Sequence, residues 1–135
     1  MNTEPQKSDI DPLTRPEVAL RRPYALTRQA AGLLFISGQV GLDPETQQLV
    51  PGGFPAEFGQ MMTNLQRILT EHQLTLRDLV SVNVYLTAPD DYTRLNELYL
   101  AAFDDALPTR TTVVVRALPL GATVEIQSVA ALTGA

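Results

Sequence analysis

The chain has 135 residues, 44% hydrophobic and 19% charged, the size and composition of one ordinary globular domain with a real core. It has no cysteine and one histidine, His72, which excludes disulfides, thiolate chemistry and multi-histidine metal sites. A formal net charge of −5 repels phosphate backbones unless basic residues cluster, and the one close cluster is Arg21-Arg22 with Arg28 nearby, so no nucleic-acid partner is expected.

Residues 1–20 hold Pro5, Pro12 and Pro16 among scattered charges. Residues 1–21 therefore read as a flexible N-terminal extension and 22–135 as the domain. Met1 to Asp11 lacks the apolar stretch of a secretory signal. No apolar run reaches the roughly 18 residues needed to cross a bilayer, so a cytoplasmic location with no membrane partner is the expectation. Leu33-Leu34-Phe35-Ile36 reads as a buried strand stopping at Ser37-Gly38. Asp43-Pro44-Glu45-Thr46 and Pro51-Gly52-Gly53 are breaks.

Phe58, Met61, Met62, Leu65, Ile68 and Leu69 then recur at three- and four-residue intervals, which predicts a helix from about Pro55 to His72. His72 suits the negative end of that helix's dipole. Leu79–Leu86 alternates, with Val80, Val82, Val84 and Leu86 on one side, and predicts a strand. Pro89 opens a second helix whose apolar face carries Tyr92, Leu95, Tyr99, Ala102 and Phe103. Thr111–Val115 and Thr123–Val129 read as strands, and Leu118-Pro119-Leu120-Gly121 is short enough to join them as a hairpin. The order β-β-α-β-α-β-β predicts an α/β (α+β) domain, a mixed sheet with two helices on one face. The partly apolar second face is expected to bury against another subunit.

Several residues can carry chemistry. Arg110, at a strand start after Pro108-Thr109, offers a planar fork that matches a carboxylate. Glu125 lies mid-strand, where a carboxylate needs water or a partner, and can act on a water as a general base. Gly38, after Ser37, permits close approach to the backbone. Tyr24 stands at the domain entrance, and Asn96 lies beside the apolar stripe of the second helix. Taken singly, each has an ordinary structural explanation. The glycines form neither a dinucleotide fingerprint nor a phosphate-binding loop.

Pro23-Tyr24, Phe35-Ile36-Ser37-Gly38-Gln39, Asn96-x-x-Tyr99 with Phe103, Pro108-x-Arg110, Leu118-Pro119 and Val124-Glu125-Ile126 occur together in the order and spacing of one family. Over residues 22–131 the chain resembles the Rid family, the YjgF-type enamine/imine deaminases. The resemblance implies a chorismate-mutase-like fold assembled as a homotrimer, with sites in the clefts between subunits. It implies hydrolysis of reactive enamines and imines to 2-keto acids and ammonia, with no metal or organic cofactor. By motif position Arg110 would bind the substrate carboxylate and Glu125 would place the attacking water. Ser37, Gly38 and Thr112 would line the pocket, Tyr24 would close it and Asn96 would support it. The chain departs from the family pattern at Arg22, where a glycine is usual, and at Thr112, where a cysteine is usual.

A hairpin with Arg116 opposite Thr123 would set Glu125 against Val114, roughly 13 Å along the strand from Arg110. A bulge or a neighbouring subunit would then be needed to unite them. The rival readings are a non-catalytic small-carboxylate-binding trimer and a ribonuclease or translation inhibitor. The acidic balance and the lack of a histidine pair speak against the latter.

Overall fold

The computed structural model describes residues 22–132; the predicted extension over 1–21 lies outside them. Five strands form one sheet: β1 Thr27–Ala30, β2 Leu33–Gln39, β3 Leu79–Leu86, β4 Thr109–Val114 and β5 Val124–Ala131. Two helices interrupt them, α1 Gly53–Glu71 and α2 Tyr92–Phe103. The order across the sheet is β1-β2-β5-β3-β4. All neighbours are antiparallel except β3 and β4.

The parallel pair corrects the expected hairpin. β3, α2 and β4 form a βαβ unit, whose crossover helix returns the chain in the same direction. β4 therefore takes the free edge of β3. The segment after it passes the end of β3, where Val115 N donates to Leu86 O at 2.7 Å and Thr87 N to Thr123 O at 3.2 Å. β5 then enters on the other side of β3. Glu125 consequently faces Tyr85 and not Val114, which pairs with Leu86. Leu118–Gly121 holds a one-turn 3-10 helix at Pro119–Gly121, with Leu120 at a left-handed φ of 65°.

Both helices lie on one face of the sheet. Phe58, Met61, Leu65, Ile68 and Leu69 of α1 meet Leu95, Tyr99 and Phe103 of α2 over Leu34, Ile36, Val82, Val84, Leu86, Val124 and Ile126. Each such side chain contributes about 1.5–3 kcal/mol by leaving water. The helix ends match the sequence closely: Pro55 sits in the first turn of α1, and His72 caps its end with Nδ1 3.0 Å from Ile68 O. Val80 departs from the expected alternation. A register shift between Leu79 and Ser81 turns Leu79 into the core and leaves Val80 42% exposed. Tyr92 likewise is exposed and not part of the core face.

Among the described residues the opposite face carries no helix. Phe35 and Val113 are exposed there, with Tyr85 beside Glu125, and Asn83 Nδ2 donates to Gln127 Oε1 at 2.8 Å.

Candidate functional site

Arg110 is the second residue of β4 and pairs with the core-facing Val82, so its side chain projects on the helix side of the sheet. There α2 receives it. Arg110 Nη2 donates to Asn96 Oδ1 at 2.7 Å. The guanidinium carbon lies 4.7 Å from the Tyr99 ring centroid and 5.9 Å from that of Tyr92, contacts worth about 0.5–2 kcal/mol each. Tyr99 is itself stacked on Phe103, with centroids 4.4 Å apart. Burial pushes the Tyr99 phenol up to about 12, against the opposing pull of the Arg110 charge. Tyr99 Oη and Thr112 Oγ1 are buried without a hydrogen-bond partner among the described residues. Thr112 stands two residues along β4 on the same side as Arg110. This cluster holds a cation by one amide oxygen and two ring faces, leaving most of its five N–H donors for a ligand.

Glu125 lies on the other face, two strands away. Between Ile36 and Gln39 the β2–β5 register slips by one residue, a bulge at Ser37-Gly38. The bulge brings the β2 backbone under Glu125. A Cβ added to Gly38 would collide with the Glu125 carboxylate and stand 2.9 Å from its Cδ, so only glycine accommodates the carboxylate where it lies. Ser37 Oγ donates to Ala25 O at 2.7 Å, and Ser37 N to Leu26 O at 2.9 Å, tying the segment after Tyr24 to the bulge. Tyr24, Ser37, Gly38 and Glu125 line one cleft of about 690 Å³. Burial raises the Glu125 pKa above its ordinary value, which keeps a fraction of it protonated at mildly acidic pH.

The strand entering this site is fixed from α1. Glu57, 6% exposed, accepts from Thr123 N at 2.8 Å and from Thr123 Oγ1 at 2.9 Å. A Cβ on Gly41 would stand 2.6 Å from Glu57 O, so the loop after β2 presses directly on the same turn of helix. Sequence reading missed Glu57, although a carboxylate one position from Phe58 in an apolar stripe was the available signal. It also missed Asn64, a buried amide on the same face, and Tyr92 as a wall for Arg110.

The seven residues singled out from the sequence thus fall into two groups. Asn96, Arg110 and Thr112 stand together at the β4 edge. Tyr24, Ser37, Gly38 and Glu125 stand together at the β2 bulge. Within one chain the groups do not meet. Arg110 and Glu125 are separated by roughly 10 Å along the strands and two strand spacings, roughly 10 Å, across them, and they point to opposite faces of the sheet.

Comparison with known proteins places this geometry among relatives. Residues 14–132 match the family model described as Endoribonuclease L-PSP. The chain is 41% identical over 108 residues to the mouse 2-iminobutanoate/2-iminopropanoate deaminase, covering 80% of each. Among solved structures it is similar to RidA from the Antarctic bacterium Psychrobacter sp. PAMC 21119, with TM-score 0.77, 37% identity, and 82% and 89% of the two chains covered. It is also similar to E. coli TdcF with bound serine, with TM-score 0.76, 27% identity, and 82% and 89% covered.

Proposed function

The chain belongs to the Endoribonuclease L-PSP family, the YjgF/RidA group, and on that premise we propose that it is a hydrolytic deaminase of 2-imino acids and their enamine tautomers. The observation that carries this reading is Arg110, clasped by Asn96 and stacked on Tyr99 with its remaining donors unused by those contacts. A guanidinium held in this way is a receptor for a planar carboxylate. The mouse relative's name and the serine bound to TdcF both fit a small ligand bearing a carboxylate.

In the proposed reaction, water adds to the imine carbon while Glu125 takes one of its protons. Glu125 returns that proton to the nitrogen of the resulting carbinolamine, the C–N bond breaks with its electron pair leaving on ammonia, and the hydroxyl proton passes to Glu125 as the C=O bond of the ketone forms. The balance is one imine and one water to one 2-keto acid and one ammonia. An iminium carbon is already electrophilic, so a placed water and an oriented substrate supply most of what the step needs. No metal or organic cofactor enters it.

The proposed assembly is a homotrimer in which the helix-free faces pack together and Arg110 of one subunit meets the Glu125 cleft of the next. The exposed Phe35 and Val113 on that face support burial against a partner, and the two half-sites on opposite faces give a reason for it. Ribonuclease action has less support: the one histidine, His72, is engaged at the end of α1, leaving no histidine pair.

The test couples the purified protein to an enzyme that releases 2-aminoacrylate and follows keto-acid formation. Acceleration over buffer that disappears in Arg110→Ala is expected. A rate equal to buffer, with wild type and Arg110→Ala alike, would leave a carboxylate-binding protein without the reaction. RNA cleavage that follows the protein through purification and vanishes in a site variant would favour the ribonuclease.

A further inference from the structure

The cleft beside Glu125 is larger than a short alkyl imine requires. Its volume of about 690 Å³ falls among pockets of ~300–1,000 Å³ that bury drug-sized ligands. Its wall also includes two cations, Arg22 ahead of β1 and Arg67 on α1.

Arg67 is braced. Its Nη2 donates to Asn64 Oδ1 at 2.6 Å. Asn64 is 7% exposed and donates to two backbone carbonyls, Val40 O at 3.1 Å and Leu42 O at 2.9 Å. Gln60 Nε2 donates to the same Oδ1 at 2.9 Å. A buried amide whose oxygen and nitrogen are both engaged cannot turn without orphaning polar groups, so it fixes the guanidinium it holds.

Among the described residues the rest of the fork meets no anion. Glu71 follows Arg67 at the i,i+4 spacing where opposite charges commonly pair, and it lines the same cleft. Yet among the described residues the ion pair present is Arg77–Asp105, and neither Arg67 nor Arg22 has a carboxylate within ion-pair distance.

We propose that Arg67, with Arg22, forms a receptor for a second anionic group on the substrate, so that the cleft takes the imines of dicarboxylic amino acids in preference to alkyl imines. This rests on the deaminase reading of the cleft and extends it from the reacting end of the substrate to its side chain. An alkyl tail would leave the braced fork solvated and unused. A distal carboxylate matches it with two parallel hydrogen bonds.

Two keto acids with the same carbon chain separate the possibilities: 2-oxopentanedioate, with a distal carboxylate, and 2-oxopentanoate, without one. Each is titrated calorimetrically into wild type, Arg67→Gln, Arg22→Gln and Arg110→Ala. Wild type is expected to bind the dicarboxylate roughly tenfold more tightly or better, the scale of one charge-assisted hydrogen bond. Arg67→Gln is expected to bring that ratio close to one while leaving 2-oxopentanoate binding unchanged, with Arg22→Gln lowering it less. Equal affinities in wild type, or a preference that survives both substitutions, overturn the receptor. If the two acids bind equally and Arg110→Ala abolishes both, this inference alone falls and the deaminase reading stands. If neither binds to wild type, both fall.

Discussion

The Arg110 cluster and the Glu125 cleft are built by different means. Side chains hold Arg110: an asparagine from α2 and two tyrosine rings grip it on the helix side of an edge strand. Backbone holds Glu125: a bulge in β2, a glycine with no Cβ, and a strand entry tied to Glu57 set where the carboxylate lies. The first design tolerates backbone change and depends on aromatic and amide identity. The second depends on a residue having no side chain at all. Substitutions should therefore fail in different ways in the two regions.

The largest expected effect is at Glu125. Glu125→Gln keeps the shape and removes the base, and kcat/KM for imine hydrolysis should fall roughly 10²–10⁴-fold, the usual contribution of general acid–base catalysis. Stability should move the other way. Burial raises the carboxyl's folded pKa, so folding favours its protonated form. That stabilising preference is fully present below the unfolded value and is lost as pH rises through the folded one. Thermal unfolding at pH 7 should thus find Glu125→Gln at least as stable as wild type, an advantage that disappears below the ordinary carboxylate pKa. The acid limb of the wild-type rate profile should lie above the ordinary pKa of 4.5.

Arg110→Lys should cost roughly 10–100-fold in kcat/KM, because a lysine keeps the charge but loses the fork and the stacking on Tyr99. It should appear mainly in KM, which saturation kinetics would resolve. A loss confined to kcat would break the contrast between a binding region and a reacting region.

Gly38→Ala should come next. The added methyl collides with the flexible end of Glu125, so the carboxylate moves and the fold survives. A loss of roughly tenfold in kcat with little change in KM is expected, since small misplacements of a catalytic group are costly. A crystal structure of the variant with Glu125 unmoved would contradict the account of the bulge.

The smallest effect should be at Tyr99→Phe. The hydroxyl is buried without a partner among the described residues, so its removal should leave stability unchanged or raised. Activity should change less than about threefold, because the ring that faces Arg110 remains. Tyr99→Leu, which removes the ring, should lose roughly 2–30-fold.

The sequence made some of this arrangement legible and hid the rest for identifiable reasons. The strands at Leu33, Leu79 and Val124 and both helices are local patterns of apolar spacing found within a few residues of their expected places, whereas β4 begins at Thr109, two residues before the expected Thr111, and Pro89 opens a one-turn 3-10 helix, Pro89–Asp91, ahead of α2. β1, Thr-Arg-Gln-Ala, has no apolar alternation because an edge strand buries little. The Leu118–Gly121 segment looks like a hairpin turn, and only the non-local pairing of β5 with β2 and β3 reveals that it spans the end of β3. Arg110 and Glu125 both stand out from the sequence as charged residues in their strands, but the face each occupies follows from sheet order, which residue spacing does not encode. Asn64 and Glu57 stood in an apolar helical stripe, and the stripe masked the polar residues within it.

Subunit complementation tests the account most directly. Arg110→Ala and Glu125→Gln proteins are each expected to be inactive as purified. Co-refolded at equal amounts, they should recover about a quarter of wild-type activity, because random mixing in a symmetric ring gives that share of interfaces with an intact Arg110 on one side and an intact Glu125 on the other. Mixed oligomers that form but show no recovered activity would contradict a site shared between subunits.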